Sequence, residues 1–123
     1  MMRAVTLSRH HEPDLWEMEE HFWTAGLDAA RGTSATGAVM ILPYAPGILQ
    51  GQTIWQHLKD QPLWRTITMT EKTYSRQKDV AVLAYHASAE REGAPIYEAL
   101  CVSTYLHDDG RWVRLSHQET PVA

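Results

Sequence analysis

The sequence IYEALCVSTYLHDDGRWVRLSHQETP, residues 96–121, contains the clearest structural signal in the chain. Apolar and polar residues alternate along both of its halves, which is typical of strands with one buried face. Between the halves, Asp108-Asp109-Gly110 indicates a hairpin, because Asp-Gly tolerates the positive φ that a tight turn requires. These residues therefore predict two antiparallel strands, Ile96–His107 and Arg111–Thr120, the second ended by Pro121.

The same period of two continues toward the N-terminus as far as Trp64. It predicts two further strands, Trp64–Arg76 and Val80–Ala89, joined by a turn at Lys78-Asp79. In the first of these, apolar residues alternate with threonines, as in a strand with one solvated face. The C-terminal half is thus expected to be a meander of four long antiparallel strands.

Upstream of Pro62 the pattern is mostly helical. Pro13 suits the first turn of a helix with an acidic start, and Gly26 is expected to interrupt or end that helix. Residues 33–37 are expected to be a polar break, followed by an apolar strand, Ala38–Leu42. A short helix is expected within Gly51–Asp60. Helices followed by a run of strands predict an α+β domain with the helices on one face of an antiparallel sheet.

Length and composition restrict the class of protein. The 123 residues suit one domain, and 44% apolar with 21% charged residues is ordinary globular composition. The net charge of −4 is spread along the chain, so we expect no nucleic-acid partner. The apolar runs are far shorter than the ~20 residues of a membrane span, so no membrane partner is expected. The lone Cys101 and the lack of a secretory signal predict a soluble cytoplasmic protein.

The order of the elements, together with several groups of residues, matches a known pattern. The groups are Glu19 with Phe22-Trp23, Pro43, Gly47-Ile48-Leu49 with Gly51, Trp64, Ser103-Thr104-Tyr105, Asp109-Gly110-Arg111-Trp112 and His117-Gln118-Glu119-Thr120-Pro121. With them the chain resembles the nuclear transport factor 2-like superfamily over about residues 12–121. It most resembles the small stand-alone bacterial domains of unknown function in that superfamily, relatives of the polyketide cyclases.

This resemblance implies a cone-shaped, cystatin-like α+β fold, in which a curved antiparallel sheet wraps around N-terminal helices and opens at one end into an apolar cavity. It also implies a homodimer. Residues 12–123 are expected to form this single domain and residues 1–11 a loose lead-in. The superfamily includes ketosteroid isomerases and polyketide cyclases as well as binding and assembly modules, so the resemblance does not imply a reaction. The isomerases carry an aspartate base near the end of the first strand, where this chain has Met40-Ile41-Leu42-Pro43.

Glu19 stands where the helical period calls for an apolar residue. A buried carboxylate is costly unless it is paired or hydrogen-bonded. Two interpretations are open: an acid or base in a pocket, or a structural partner for an arginine or for backbone amides. The apolar neighbours on the same arc of the helix are Leu15, Trp16, Met18, Phe22 and Trp23.

The last strand has an apolar and a polar face. Val113, Leu115 and His117 share the apolar face, so His117 is expected to point inward. Trp112 and Arg114 share the polar face, so Trp112 is expected to be exposed. Since an exposed tryptophan on a polar face often marks a contact, we expect a homodimer formed through the outer face of the sheet.

Five side chains are candidates for ligand binding in the expected cavity. Glu19 and His117 project from facing apolar surfaces, so they are expected within about 8 Å of each other, where each alters the other's titration. Tyr85 and Tyr105 can place hydroxyl groups in a cavity, although the face on which Tyr105 lies is left open, and Trp23 can form a wall. For the histidine and the tyrosines, a core role with satisfied hydrogen bonds is the alternative.

The sequence predicts no metal and no cofactor. The seven histidines show no metal-ligand spacing, and there is no glycine-rich phosphate loop. Cys101 lacks a nucleophile motif and is expected to be a small buried apolar residue.

Three functions are compatible with the sequence. The first is a small-molecule-binding or accessory domain with an apolar cavity and an apolar ligand. The second is an enzyme of the polyketide-cyclase or ketosteroid-isomerase type that uses Glu19 and His117 as acid and base. The third is a self-associating scaffold without a ligand.

Overall fold

The computed structural model describes residues 14–122, so the expected lead-in and the expected helix start at Pro13 lie outside the described residues. Within this range three helices precede or interrupt the sheet, which has six strands. The helices are α1 (Leu15–Thr24), α2 (Leu27–Gly32) and α3 (Gln52–Leu58). The strands are β1 (Ser34–Ile41), β2 (Ile48–Gln50), β3 (Thr66–Gln77), β4 (Val80–Glu90), β5 (Tyr97–Asp108) and β6 (Arg111–Pro121).

Local sequence signals fix both ends of α1. The Asp14 carboxylate caps its start by accepting the backbone N–H groups of Trp16 at 2.9 Å and Glu17 at 3.4 Å. Gly26 separates α1 from α2, as expected. Its φ of +103° is a backbone conformation that residues with a side chain rarely adopt, so glycine is favoured there. Residues four apart, Glu19 and Trp23 among them, lie on the buried face of α1.

The strands form one curved, unclosed sheet in the order β2-β1-β6-β5-β4-β3. Strands β3 to β6 pair antiparallel in sequence order, so the expected four-strand meander is confirmed. The pairing of β1 with β6 is parallel, and the sheet is therefore not purely antiparallel as expected. These two strands are far apart in the sequence, and no local pattern predicts the direction of their pairing.

The expected polar break over residues 33–37 is wrong, because β1 begins at Ser34. The Thr33 carbonyl accepts the backbone N–H of Arg114 at 2.7 Å. The Ser34 hydroxyl donates to the Ala30 carbonyl at 2.8 Å. Because strand β6 and helix α2 supply these partners, polar residues are tolerated at the start of a strand.

A β-bulge in β6 reverses the side-chain pattern of its first half. Thr104 pairs with Ser116, but Tyr105 pairs with Arg114, so Leu115 is an extra residue. The expected inward position of His117 is confirmed, since it is buried. The expectation that Trp112 and Arg114 face outward is wrong, because beyond the bulge both are buried, Arg114 completely.

The core lies between the helices and the concave face of the sheet. Alternate residues of β4 and β5 point into it, including Tyr85, Tyr105 and, as expected, Cys101. Tyr105, whose face the sequence left open, therefore points toward the core. Within residues 14–122, no helix combines the length and the apolar character needed to cross a membrane.

Candidate functional site

Glu19 is the centre of a buried polar network. Its Oε2 atom accepts hydrogen bonds from the Tyr85 and Ser103 hydroxyl groups, and Oε1 accepts one from the Tyr105 hydroxyl at 2.7 Å. Arg114 donates from Nε to Oε1 at 3.4 Å, which forms a fully buried ion pair. The carboxylate is therefore surrounded by donors on helix-facing positions of three strands.

The Arg114 guanidinium is satisfied on all sides. Nη2 donates to the Tyr105 hydroxyl at 2.6 Å and to the Met18 carbonyl at 3.2 Å. Nη1 donates to the hydroxyl groups of Ser34 at 3.1 Å and Thr33 at 3.3 Å. A buried charge is tolerated only with such partners. These bonds tie the sheet to α1 and to the end of α2.

His117 connects Glu19 to a second carboxylate. Its Nδ1 atom lies 3.3 Å from Glu19 Oε2 and 2.7 Å from the Ser103 hydroxyl. Its Nε2 atom lies 2.9 Å from Glu119 Oε2, and Glu119 Oε1 accepts the Tyr97 hydroxyl, also at 2.9 Å. Two carboxylates thus face two cationic side chains, and the charges of the network balance when His117 is protonated.

The electrostatics of the network keep its charged groups charged. Burial alone would raise the pKa of Glu19, but the hydrogen bond and charge of His117, with Arg114 and Ser103, hold it well below its usual value. Burial disfavours the imidazolium, yet hydrogen bonds and charges from Glu119 and Glu19 raise the pKa of His117 to about 9. For Tyr85, burial and then the charge of Glu19 raise the pKa well above its usual value, so its hydroxyl stays a donor.

Ser103, His117 and Glu119 stand in a row that resembles a nucleophile, a base and its orienting acid. The Ser103 side chain, however, is fully buried, and its hydroxyl donates to Glu19. A substrate carbonyl cannot approach an oxygen in this position. The row therefore fits a structural and electrostatic role better than nucleophilic catalysis.

A cleft of about 580 Å³ lies beside the network. Phe22 and Trp23 of α1 form part of its wall, and Glu119 is the network carboxylate that reaches it. The remaining walls come from α2, from three connecting segments, from Leu58 at the end of α3 and from Tyr97 at the start of β5. These further lining residues are Gly26, Leu27, Ala30, Leu42, Pro43, Tyr44, Leu58, Lys59, Gln61, Pro62, Leu63, Trp64, Arg91, Ala94, Pro95, Ile96 and Tyr97.

Aromatic rings form one continuous wall of the cleft. Trp64 stacks on Tyr97 with ring centroids 5.4 Å apart, and Trp23 lies 6.5 Å from Trp64 and 6.2 Å from Tyr97. The Arg91 guanidinium covers Trp64 at 4.3 Å. Burial and the charge of Glu119, partly offset by Arg91, raise the pKa of Tyr44 to about 12. Most of this surface is apolar, with few polar groups, as in small-molecule sites.

The five candidate residues divide between the network and the cleft. Trp23 lines the cleft and donates from Nε1 to the Tyr85 hydroxyl at 3.0 Å. Glu19, Tyr85, Tyr105 and His117 lie in the buried network and are not among the residues that line the cleft. Glu19 and His117 are as close together as expected, and Trp23 is beside them, with its ring 6.1 Å from that of His117. Ligand contact by these residues stays a prediction.

Sequence reasoning missed Arg114, Ser103 and Glu119. Glu119 had a signal, since it follows His117 by two residues in a strand and so shares its face. Ser103 likewise alternates with Cys101 and Tyr105. No sequence signal indicated that Arg114 points inward, because the bulge at Leu115 is not visible in the sequence.

No metal centre is seen in the described part of the chain. Among residues 14–122, no group of three or more His, Cys, Asp or Glu side chains is arranged to hold a metal ion.

Fold and site together define an α+β domain with a curved sheet, a buried charged network and an apolar cleft. No protein-family model and no curated protein match the sequence. Several solved structures, however, match the fold of this chain. A ketosteroid isomerase-like protein from Parabacteroides distasonis has 16% identity and a TM-score of 0.76, with 88% of this chain and 85% of that chain covered.

Two other solved structures show the same architecture in different settings. A nuclear transport factor 2-like protein from Cytophaga hutchinsonii has 12% identity and a TM-score of 0.70, with 99% of each chain covered. The association domain of CaMKII from C. elegans has 16% identity and a TM-score of 0.68, with 86% of this chain and 88% of that chain covered. The chain therefore has the cystatin-like fold of the nuclear transport factor 2-like proteins, as its sequence predicted.

Proposed function

We propose that this domain binds a small apolar molecule in the cleft beside α1. The observation that carries the proposal is a 580 Å³ cleft with an aromatic wall and one network carboxylate, Glu119. Its volume lies within the ~300–1,000 Å³ range of small-molecule sites. In this proposal Trp23 contacts the ligand directly. The other four candidates act indirectly, through hydrogen bonds that hold Trp23 and Glu119 in place. They are Glu19, Tyr85, Tyr105 and His117.

The buried position of Glu19 and His117 favours binding over catalysis. A general acid or base must come within hydrogen-bond reach of the substrate. Both side chains are fully buried and have protein partners for their polar atoms. An enzyme that used this pair directly would require both to leave the network.

Native mass spectrometry of the purified protein, followed by titration with a naphthalene-based alcohol, tests the proposal. Trp23→Phe is expected to weaken binding about tenfold, because a ring that forms the wall is truncated. Trp112→Phe is the matched control, since Trp112 is equally buried but packs in a separate cluster with Leu15 and Leu83. A protein that carries no ligand as purified and does not bind the probe would contradict the proposal.

A homodimer formed through the outer face of the sheet is a second proposal. The exposed Trp112 that first suggested it is in fact buried. A different observation supports it: large apolar side chains are exposed on that face of neighbouring strands. One of the solved structures with the same fold is the association domain of CaMKII from C. elegans. The exposed residues are Val39 and Ile41 of β1, Ile48 of β2, Leu115 of β6 and Leu100 of β5.

A further inference from the structure

Glu119 is the only carboxylate among the described residues that line the cleft. Its side chain is 10% exposed. Each of its oxygens has one protein partner, the Tyr97 hydroxyl on Oε1 and His117 Nε2 on Oε2. A carboxylate offers about four acceptor positions, so about two remain for other donors.

The cationic side chains around the cleft leave this acceptor free. His117 lies behind Glu119 and is buried. The Arg91 guanidinium stacks 4.3 Å over Trp64 and donates to the Pro62 carbonyl at 3.4 Å. Lys59 is exposed to solvent. A ligand that enters the cleft thus meets apolar rings, the cationic side chains of Arg91 and Lys59, and the Glu119 carboxylate, which can only accept hydrogen bonds.

On the basis of the ligand-binding function proposed above, we infer that the ligand carries an N–H or O–H donor on its apolar body and that Glu119 accepts it. Such a donor gains a charge-assisted hydrogen bond to the carboxylate. A ligand carboxylate in the same place would face a like charge amid apolar walls, where screening by water is weak. At the position beside Glu119, the cleft therefore selects amines or alcohols over acids of the same shape.

Four probes with the same ring test this selection: naphthylethylamine, naphthylethanol, ethylnaphthalene and naphthylacetate. Calorimetric titration is expected to show at least about tenfold tighter binding of the amine or the alcohol than of the hydrocarbon and the acid. Whichever of the two donors binds more tightly identifies the head group. Glu119→Gln is expected to remove most of the difference between the amine and the acid, whereas Glu17→Gln, at an exposed site on α1, leaves it unchanged.

The outcomes separate this inference from the proposed function. If the acid binds most tightly, or if the hydrocarbon equals both donors, the inference is overturned and ligand binding in the cleft stands. If none of the four probes binds, the proposed function fails and the inference fails with it. The order of affinities of the four probes for the unmodified protein tests the inference even if Glu119→Gln does not fold.

Discussion

Glu19 shows how a single polar residue in an apolar helix face can hold a domain together. Its carboxylate takes hydrogen bonds from two strands and an ion pair from a third, so the helix can dock in one position only. Burial of such a group is unfavourable unless every partner is present. Removal of any one partner is therefore expected to destabilise the fold.

Glu19→Gln is expected to lower the free energy of unfolding by roughly 3–5 kcal/mol, because it leaves the buried cations of Arg114 and His117 without their shared carboxylate. Urea denaturation measures this change. Glu20→Gln, the exposed neighbour on α1, is expected to change stability by less than about 0.5 kcal/mol. Equal effects of the two substitutions would argue that Glu19 is an incidental polar residue.

The titration of Glu19 and His117 predicts a stability maximum on the acid side of neutrality. The pKa of His117 rises from 6.5 to about 9 on folding, so its contribution is complete below 6.5 and is lost as the pH rises through 9. The pKa of Glu19 falls on folding from 4.5, so its contribution is complete above 4.5 and is lost as the pH falls below it. Melting temperatures measured as a function of pH should therefore be highest between pH 4.5 and pH 6.5.

His117→Gln is the control for this profile. It is expected to flatten the decline in melting temperature between pH 6.5 and 9, because the group that loses its proton there is gone. An unchanged slope would assign the decline to other residues.

Among the elements, β6 has the greatest influence on the site. The extra residue Leu115 allows Trp112 and Arg114 on one side of the bulge, and His117 on the other, to point to the same face. A regular strand alternates its side chains and would place them on opposite faces. The charged network therefore depends on this irregularity of the backbone.

Deletion of Leu115 tests whether it is the extra residue. Without it, Ser116 and Arg114 keep their partners Thr104 and Tyr105, and Arg114 and His117, now two residues apart, share the inner face of a regular strand. The buried ion pair between Arg114 and Glu19 is therefore expected to remain, with a change in stability of about 1 kcal/mol or less. Leu115→Thr keeps the bulge at a partly exposed position and should be close to neutral in the same denaturation experiment. A loss of roughly 3–5 kcal/mol on deletion, as for a broken buried ion pair, would contradict the assignment of Leu115 as the extra residue.

The elements also show which parts of the fold are visible in the sequence. The four strands from Thr66 to Pro121 were predictable, since apolar and polar residues alternate along them and each ends in a turn or at a proline. Glu19 and His117 were predictable because each is polar at an apolar position. Arg114 was not, because a bulge changes the face without changing the composition. The cleft walls were not, because they come from connecting segments without a period.

At the scale of the whole molecule, the sheet has two faces with different roles. The concave face covers the network and the core. The convex face exposes apolar residues on adjacent strands, for example Ile41 directly opposite Ile48. Burial of such a patch against a second copy would remove it from water, at roughly 25 cal/mol per Å² of apolar surface.

Size-exclusion chromatography with light scattering is expected to report about twice the chain mass of 14.0 kDa. Ile41→Lys places a charge in the middle of the proposed interface and should shift the protein toward the monomer. Gln56→Lys adds the same charge at an exposed position on α3 and should leave the dimer intact. A monomer at tens of micromolar in the unmodified protein would exclude this interface.

The separation of the cleft walls from the buried network has a consequence for protein engineering. Most of the walls come from three connecting segments, residues 43–44, 59–64 and 91–96. The charged network that fixes the fold touches the cleft mainly through Glu119, Tyr97 and Trp23. Libraries that vary the three segments while these three residues are kept should therefore yield folded variants with new ligand preferences, because the scaffold and the binding surface can be varied independently.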